Sequence, residues 1–179
     1  MTVLDIIKTA VKLLGDTTLL AFLNGETEQP AYEEDKELLL ISYNQTARSV
    51  ATYFPLVYTE SFSPVNGVVK YEVFTFNPYK IKKVISNDCN YEILPTEIKT
   101  NRDIKVEYCY FPKAEDYGDG YPFNFVVSDV EFSYGVLAEY LLYKGRYEES
   151  ATYFDKFINA LSSYNRANKK SRIPSREWF

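Results

Sequence analysis

The sequence predicts an α+β chain, a helical bundle interrupted by an antiparallel β block and followed by an extended tail. Three observations predict it. Apolar residues recur at helical spacing up to Phe54 and again from residue 128. Between Leu56 and Phe111 the pattern changes to short runs of Val, Ile, Tyr, Phe and Thr broken by turn residues. The last fourteen residues hold Arg166, Lys169, Lys170, Arg172 and Arg176 against a single Glu177, whereas the rest of the chain is acidic. With 179 residues, 46% of them apolar, the chain is expected to form one domain over residues 1–165, with the tail at 166–179.

Thr2-Val3-Leu4-Asp5 reads as a capping box. Leu4, Ile7, Val11 and Leu14 follow at helical spacing and Gly15 is the stop. Asp16 caps a second short helix through Leu19, Leu20, Phe22 and Leu23, which Asn24-Gly25 ends. After a polar loop to Pro30, a long helix begins near Glu33, with acids in its first turn where the helix dipole favours them. It places Leu39, Leu40, Tyr43, Ala47, Val50, Ala51 and Phe54 on one side, and Pro55 ends it. The helices at 3–54 thus precede the β insertion at 56–111, which is punctuated by Pro64, Asn66-Gly67, Asn77-Pro78, Asn87-Asp88 and Asn101. Its last strand has Ile104, Val106, Tyr108 and Tyr110 on one face and Lys105, Glu107 and Cys109 on the other.

Prolines 112 and 122 and glycines 118 and 120 make residues 111–125 a loop. Its Glu115, Asp116 and Asp119 lack the spacing of a calcium loop and read as turn residues. Ser128-Asp129-Val130-Glu131 is a second capping box, opening a helix through Val136, Leu137, Tyr140 and Leu141 to Lys144-Gly145. Arg146-Tyr147-Glu148-Glu149 starts the last helix, with Ala151, Phe154, Phe157, Ile158 and Leu161 expected on its buried face. The two pack as a hairpin over 128–165. It looks like one tetratricopeptide hairpin, but no second copy follows at the period a solenoid requires.

Little in the chain suggests catalysis. There is no histidine, no Gly-rich loop entering a helix and no nucleophile motif. The acid runs Glu33-Glu34-Asp35 and Glu148-Glu149 fall in first turns of helices, where the dipole explains them. Cys89 and Cys109 fit no metal or redox spacing and read as small strand residues. No catalytic residue, cofactor or metal site is expected. No apolar run approaches the roughly 18–20 residues that span a bilayer, and the first fifteen residues lack signal-peptide character, so no membrane role is expected.

Charge and aromatics point to protein contacts instead. Residues 1–165 carry 15 basic against 24 acidic side chains, and the tail five against one. An acidic body argues against general nucleic-acid binding. The 17 tyrosines suit interfaces, where one end of the side chain is packed and the other wet, and equally suit strands.

Three features together resemble the head-to-tail connector proteins of tailed bacteriophages, also called adaptor, neck or head-completion proteins, including the tail tubular protein A type. They are the short first helix with the long Glu33–Phe54 helix, the β block placed before Tyr108-Cys109-Tyr110-Phe111-Pro112, and the hairpin around Gly145-Arg146-Tyr147-Glu148-Glu149 with its Arg172-Ile173-Pro174-Ser175-Arg176-Glu177-Trp178-Phe179 segment. The likeness covers nearly the whole chain and lies in element order and a few phrases. It implies a virion protein made in the bacterial cytoplasm. It further implies a ring, typically of twelve copies, under the portal of a filled capsid, extending the channel through which DNA passes without specific binding during ejection. Implied partners are its own copies, the portal protein, and the tail or next neck protein.

The resemblance also implies a C-terminal extension that reaches the portal, and the tail fits that use. Arg172 and Arg176 can each form paired hydrogen bonds to carboxylates, Pro174 stiffens the segment, and Ile173, Trp178 and Phe179 supply apolar anchors. Folding of the two aromatics back onto the chain's own body is the alternative use. The β block can serve the neighbouring subunit or the tail component. A monomeric or dimeric binding module whose basic tail engages an acidic partner is the competing reading of the whole.

Overall fold

The computed structural model describes residues 2–86, 90–123 and 127–170, excluding the side chains of residues 165–170. The α+β class is the one observed. Helices α1 (Val3–Leu14), α2 (Thr17–Leu23), α3 (Glu33–Tyr53), α4 (Asp129–Tyr143) and α5 (Tyr147–Lys170) flank strands β1 (Leu56–Phe62), β2 (Val68–Lys70), β3 (Pro78–Ser86), β4 (Tyr91–Ile93), β5 (Glu97–Thr100) and β6 (Ile104–Tyr110). They form two compact units, a helical one of Met1–Tyr53 with Ala114–Phe179 and a β unit of Phe54–Lys113.

In the helical unit, local chemistry sets the helix ends. Thr2 and Asp5 form a reciprocal capping box on α1, and Gly15, at φ 78°, closes it in a left-handed conformation that other residues rarely adopt. The Asp16 carboxylate accepts the Leu19 N–H at 2.9 Å to start α2. Pro30–Tyr32 makes a 3₁₀ turn into α3. A second capping box, Ser128 with Glu131, starts α4.

Helix α4 is the centre of this unit, contacting α1, α3 and α5. Its buried residues, among them Phe132, Ser133, Val136, Leu137, Tyr140 and Leu141, leave little of its circumference polar. The Ser133 hydroxyl donates to the Ile6 carbonyl on α1 at 3.0 Å. Tyr43 of α3 packs its ring 5.2 Å from that of Phe132. The Ser150 hydroxyl of α5 donates to the Ala138 carbonyl at 2.7 Å. Small polar residues thus sit where helices approach closely, and their hydroxyls are satisfied by backbone carbonyls.

The β unit contains two three-stranded antiparallel sheets, ordered β1-β6-β3 and β2-β5-β4. Both feed one core that includes Phe62, Val69, Val84, Ile98, Val106 and Tyr108. Its filling is aromatic. Phe74 lies 4.2 Å from Phe62 and 4.8 Å from Tyr108, and Phe76 stacks on Tyr110 at 4.2 Å. The Tyr108 hydroxyl donates to Glu60 at 3.0 Å, and burial pushes its pKa up to about 12. Glu60 also receives the Thr75 amide and hydroxyl, which fixes the loop before β3.

Four sequence expectations are corrected. Helix α3 ends at Tyr53, one residue early. Cys109, expected on the open face of β6, is buried; Tyr79 of β3 hydrogen-bonds it and stacks on Phe111 at 4.3 Å, so that face is locally covered. On α5, Phe157 and Leu161 are buried as expected, but Ala151 and Phe154 face outward, because the chain packs α5 through Ser150 at the Ala138 carbonyl. Residues 166–170, expected in the extended tail, continue α5 to Lys170; nothing in Arg166-Ala167-Asn168-Lys169-Lys170 breaks a helix. Cys89 lies outside the described residues.

Candidate docking site

The helical unit carries a groove of about 740 Å³ built by the first turns of α1 and α3, by α2, and by the 3₁₀ turn. Helix α2 explains its apolar floor. Four of its seven residues are Leu or Phe, yet only Leu19 is buried. A seven-residue helix offers too little covered face for that many apolar side chains, so Phe22 and Leu23 line the groove with Leu4 and Pro30.

Tyr117 also lines the groove, and the loop that carries it is held firmly. Asn44 on α3 grips the backbone of Glu115 twice, accepting its N–H at 2.8 Å and donating to its carbonyl at 3.1 Å. The carbonyls of Asp119 and Tyr117 accept the otherwise unpaired N–H groups of Val3 and Leu4. Asp116 and Asp119 accept backbone amides within the loop, the turn role expected of them. The Tyr117 hydroxyl donates to the Lys36 carbonyl, and burial raises its pKa.

The rim of the groove is acidic. Glu28 and Glu33 line it, and Glu26, Glu34, Asp35 and Glu37 stand within the same twelve residues, against one cation, Lys36. Lys36 is engaged locally: its ammonium lies 3.6 Å from Glu33, 6.0 Å from the Phe22 ring centre and 5.7 Å from that of Tyr117. Asp35 is also committed, to the Lys144 ammonium at 2.6 Å and the Tyr140 hydroxyl at 2.8 Å. The remaining acids give the rim a net negative field. It is a surface suited to a ligand that is basic and carries apolar side chains.

A second exposed feature lies on α5. Tyr147, Ala151 and Phe154 fall at positions i, i+4 and i+7 on its outward side, with Tyr147 68% and Phe154 49% exposed. Half-buried Ile158 extends the stripe by a turn. Leu142 and Tyr143, at the end of α4 that leads into α5, are exposed as well. Helix α5 therefore carries two apolar faces, and the chain's own core covers one of them.

The residues the sequence singled out for partner binding, Arg172, Ile173, Pro174, Arg176, Trp178 and Phe179, lie outside the described residues. The groove and the outer stripe were not anticipated. The signal for the groove was the excess of apolar residues in α2 beside the acid-rich stretch 26–37. For α5 it was apolar positions too numerous for one face.

Among the described residues no group of three or more Cys, Asp or Glu side chains could hold a metal ion. Nor is any helix among them long and apolar enough to cross a membrane. No protein-family model matches the chain, and no curated protein matches it.

Proposed function

We propose that this chain is a structural virion protein of a tailed bacteriophage, a non-enzymatic subunit of a twelve-membered ring that joins portal to tail and extends the DNA channel. The observation that carries the reading is the outward stripe of α5, Tyr147, Ala151, Phe154 and Ile158. A helix with an apolar face left over after its own core is complete is a natural subunit interface, and a closed ring covers such a face on every copy.

Charge supports the reading. The helical unit through residue 165 holds seven basic against 17 acidic side chains, whereas the β unit holds eight against seven. The net acidity is therefore confined to the helical unit. A strongly negative wall repels the DNA backbone and lets it slide, which suits a channel lined by the helical unit. The nearly neutral β unit is free to meet a neighbour or the tail component. In this reading the protein is made in the bacterial cytoplasm and resides in the neck of the particle, with the portal and the tail or next neck protein as partners.

The test is the mass of the purified chain by light scattering over a concentration series, alone and mixed with a portal ring. Assembly alone, or recruitment of about one chain per portal subunit, is expected, and Phe154→Asp should weaken it at least tenfold with the helical circular dichroism unchanged. A strict monomer that ignores the portal would overturn the ring and favour a binding module.

A further inference from the structure

We infer that the acidic groove between α2 and α3 is the receptor for residues 172–179 of a second copy of this chain, so that each subunit grips the next. The inference names a partner surface within the proposed ring and rests on that reading for its second copy.

Complementarity carries it, on two independent counts. The floor of the groove is apolar and partly aromatic, with Leu4, Phe22, Leu23 and Tyr117, and the segment supplies Ile173, Trp178 and Phe179. The rim carries Glu28 and Glu33, with Glu26, Glu34 and Glu37 close in sequence, and the segment supplies Arg172 and Arg176. No other described stretch of twelve residues holds as many acids as 26–37, and two of them, Glu28 and Glu33, line this groove. Size agrees too. Eight extended residues reach about 26–29 Å, so Trp178 and Arg172 can engage floor and rim at once. Pro174 reduces the freedom lost on docking.

Arginine suits this rim better than lysine would, because its planar fork can bond one carboxylate through two parallel N–H groups. The Lys36 ammonium is engaged by Glu33 and the two rings, and Glu28, exposed on the groove, is the carboxylate that meets an incoming guanidinium. Trp178 then packs on the apolar floor with Leu4, Phe22 and Leu23, where contacts between aromatic rings add to the area buried.

The experiment uses the full chain with p-benzoyl-phenylalanine in place of Trp178. Light and heavy isotopic forms are mixed, irradiated and mapped by mass spectrometry. Cross-links to residues 22–36 in mixed light–heavy pairs are expected. The paired substitutions Glu28→Arg and Glu33→Arg should reduce their yield about tenfold, and adding Arg172→Glu and Arg176→Glu should restore it. Rescue by the swap separates a direct charge contact from damage to the fold. Cross-links only within one copy, or only to an added portal ring, or a yield indifferent to the charges, would overturn the inference. A closed ring with Trp178 cross-linked elsewhere sinks the groove and leaves the ring standing. Groove cross-links between copies of an open dimer sink the ring and leave the groove. A strict monomer sinks both.

Discussion

At Gly135 the helical unit tolerates no side chain. A Cβ there would stand 2.5 Å from the Thr46 methyl on α3 and 3.0 Å from the Phe157 ring on α5, so this position sets how closely three helices approach. Glycine inside a helix costs about 1 kcal/mol relative to alanine, and the sequence accepts that cost for the packing it permits. Gly135→Ala should therefore destabilise the protein, by about 1–3 kcal/mol of overpacking less the propensity gained. A lowered urea midpoint would show it. Thr46→Ser removes the obstructing methyl while keeping the hydroxyl that donates to the Ser42 carbonyl. Added to Gly135→Ala, it should recover part of the loss. A single Gly135→Ala variant as stable as the parent would mean the helices are farther apart than this.

The helix ends that a cap marks were legible in the sequence because local groups decide them. Thr2, Asp16 and Ser128 act through N–H groups three residues away, and Gly15 through its own backbone. The inner face of α5 was legible at Phe157 and Leu161 but not at its start, where a partner decides it: the Ala138 carbonyl receives Ser150, which turns Phe154 outward. Cys109 was misplaced for the same reason, its cover coming from Tyr79 on another strand. The α4 cap makes a prediction about pH. Burial alone would raise the Glu131 carboxyl; hydrogen bonds from Ser128 and Tyr164 outweigh it and hold the pKa below the ordinary value. A carboxylate depressed in the fold stabilises it fully above its unfolded pKa, about 4.3, and that contribution is lost as pH falls through the folded value. Ser128→Ala should cost about 1 kcal/mol at neutral pH. The gap between its urea midpoint and the parent's should then narrow toward pH 3. A gap that stays constant would show that the ionised Glu131 adds nothing to the cap.

At the scale of the whole molecule, the order of elements could be read from residue patterns, and so could the charge contrast between body and tail. The groove could not, since it arises where α2 exhausts its covered face, and only the packed structure shows which side chains remain. The two units also make the β block separable. Strands β1 and β6 pair with Leu56 opposite Tyr110, so the insertion enters and leaves at neighbouring positions, about 5 Å apart between paired Cα atoms. In the helical unit Asn44 holds Glu115 about 14 Å back along α3 from its end at Tyr53, so a flexible Gly-Ser linker of about ten residues can replace residues 54–113. The shortened chain should keep its helical circular dichroism and unfold cooperatively, with a smaller denaturant slope because less surface is exposed. A helix-poor or aggregated product would mean that the helical unit needs the β unit to fold. The same variant locates the subunit interface. If it still self-associates, and Phe154→Asp in it abolishes that, the stripe on α5 suffices to join copies. Association lost with the β unit while the helices stay folded would move the interface onto the strands, and the α5 stripe would then need another occupant.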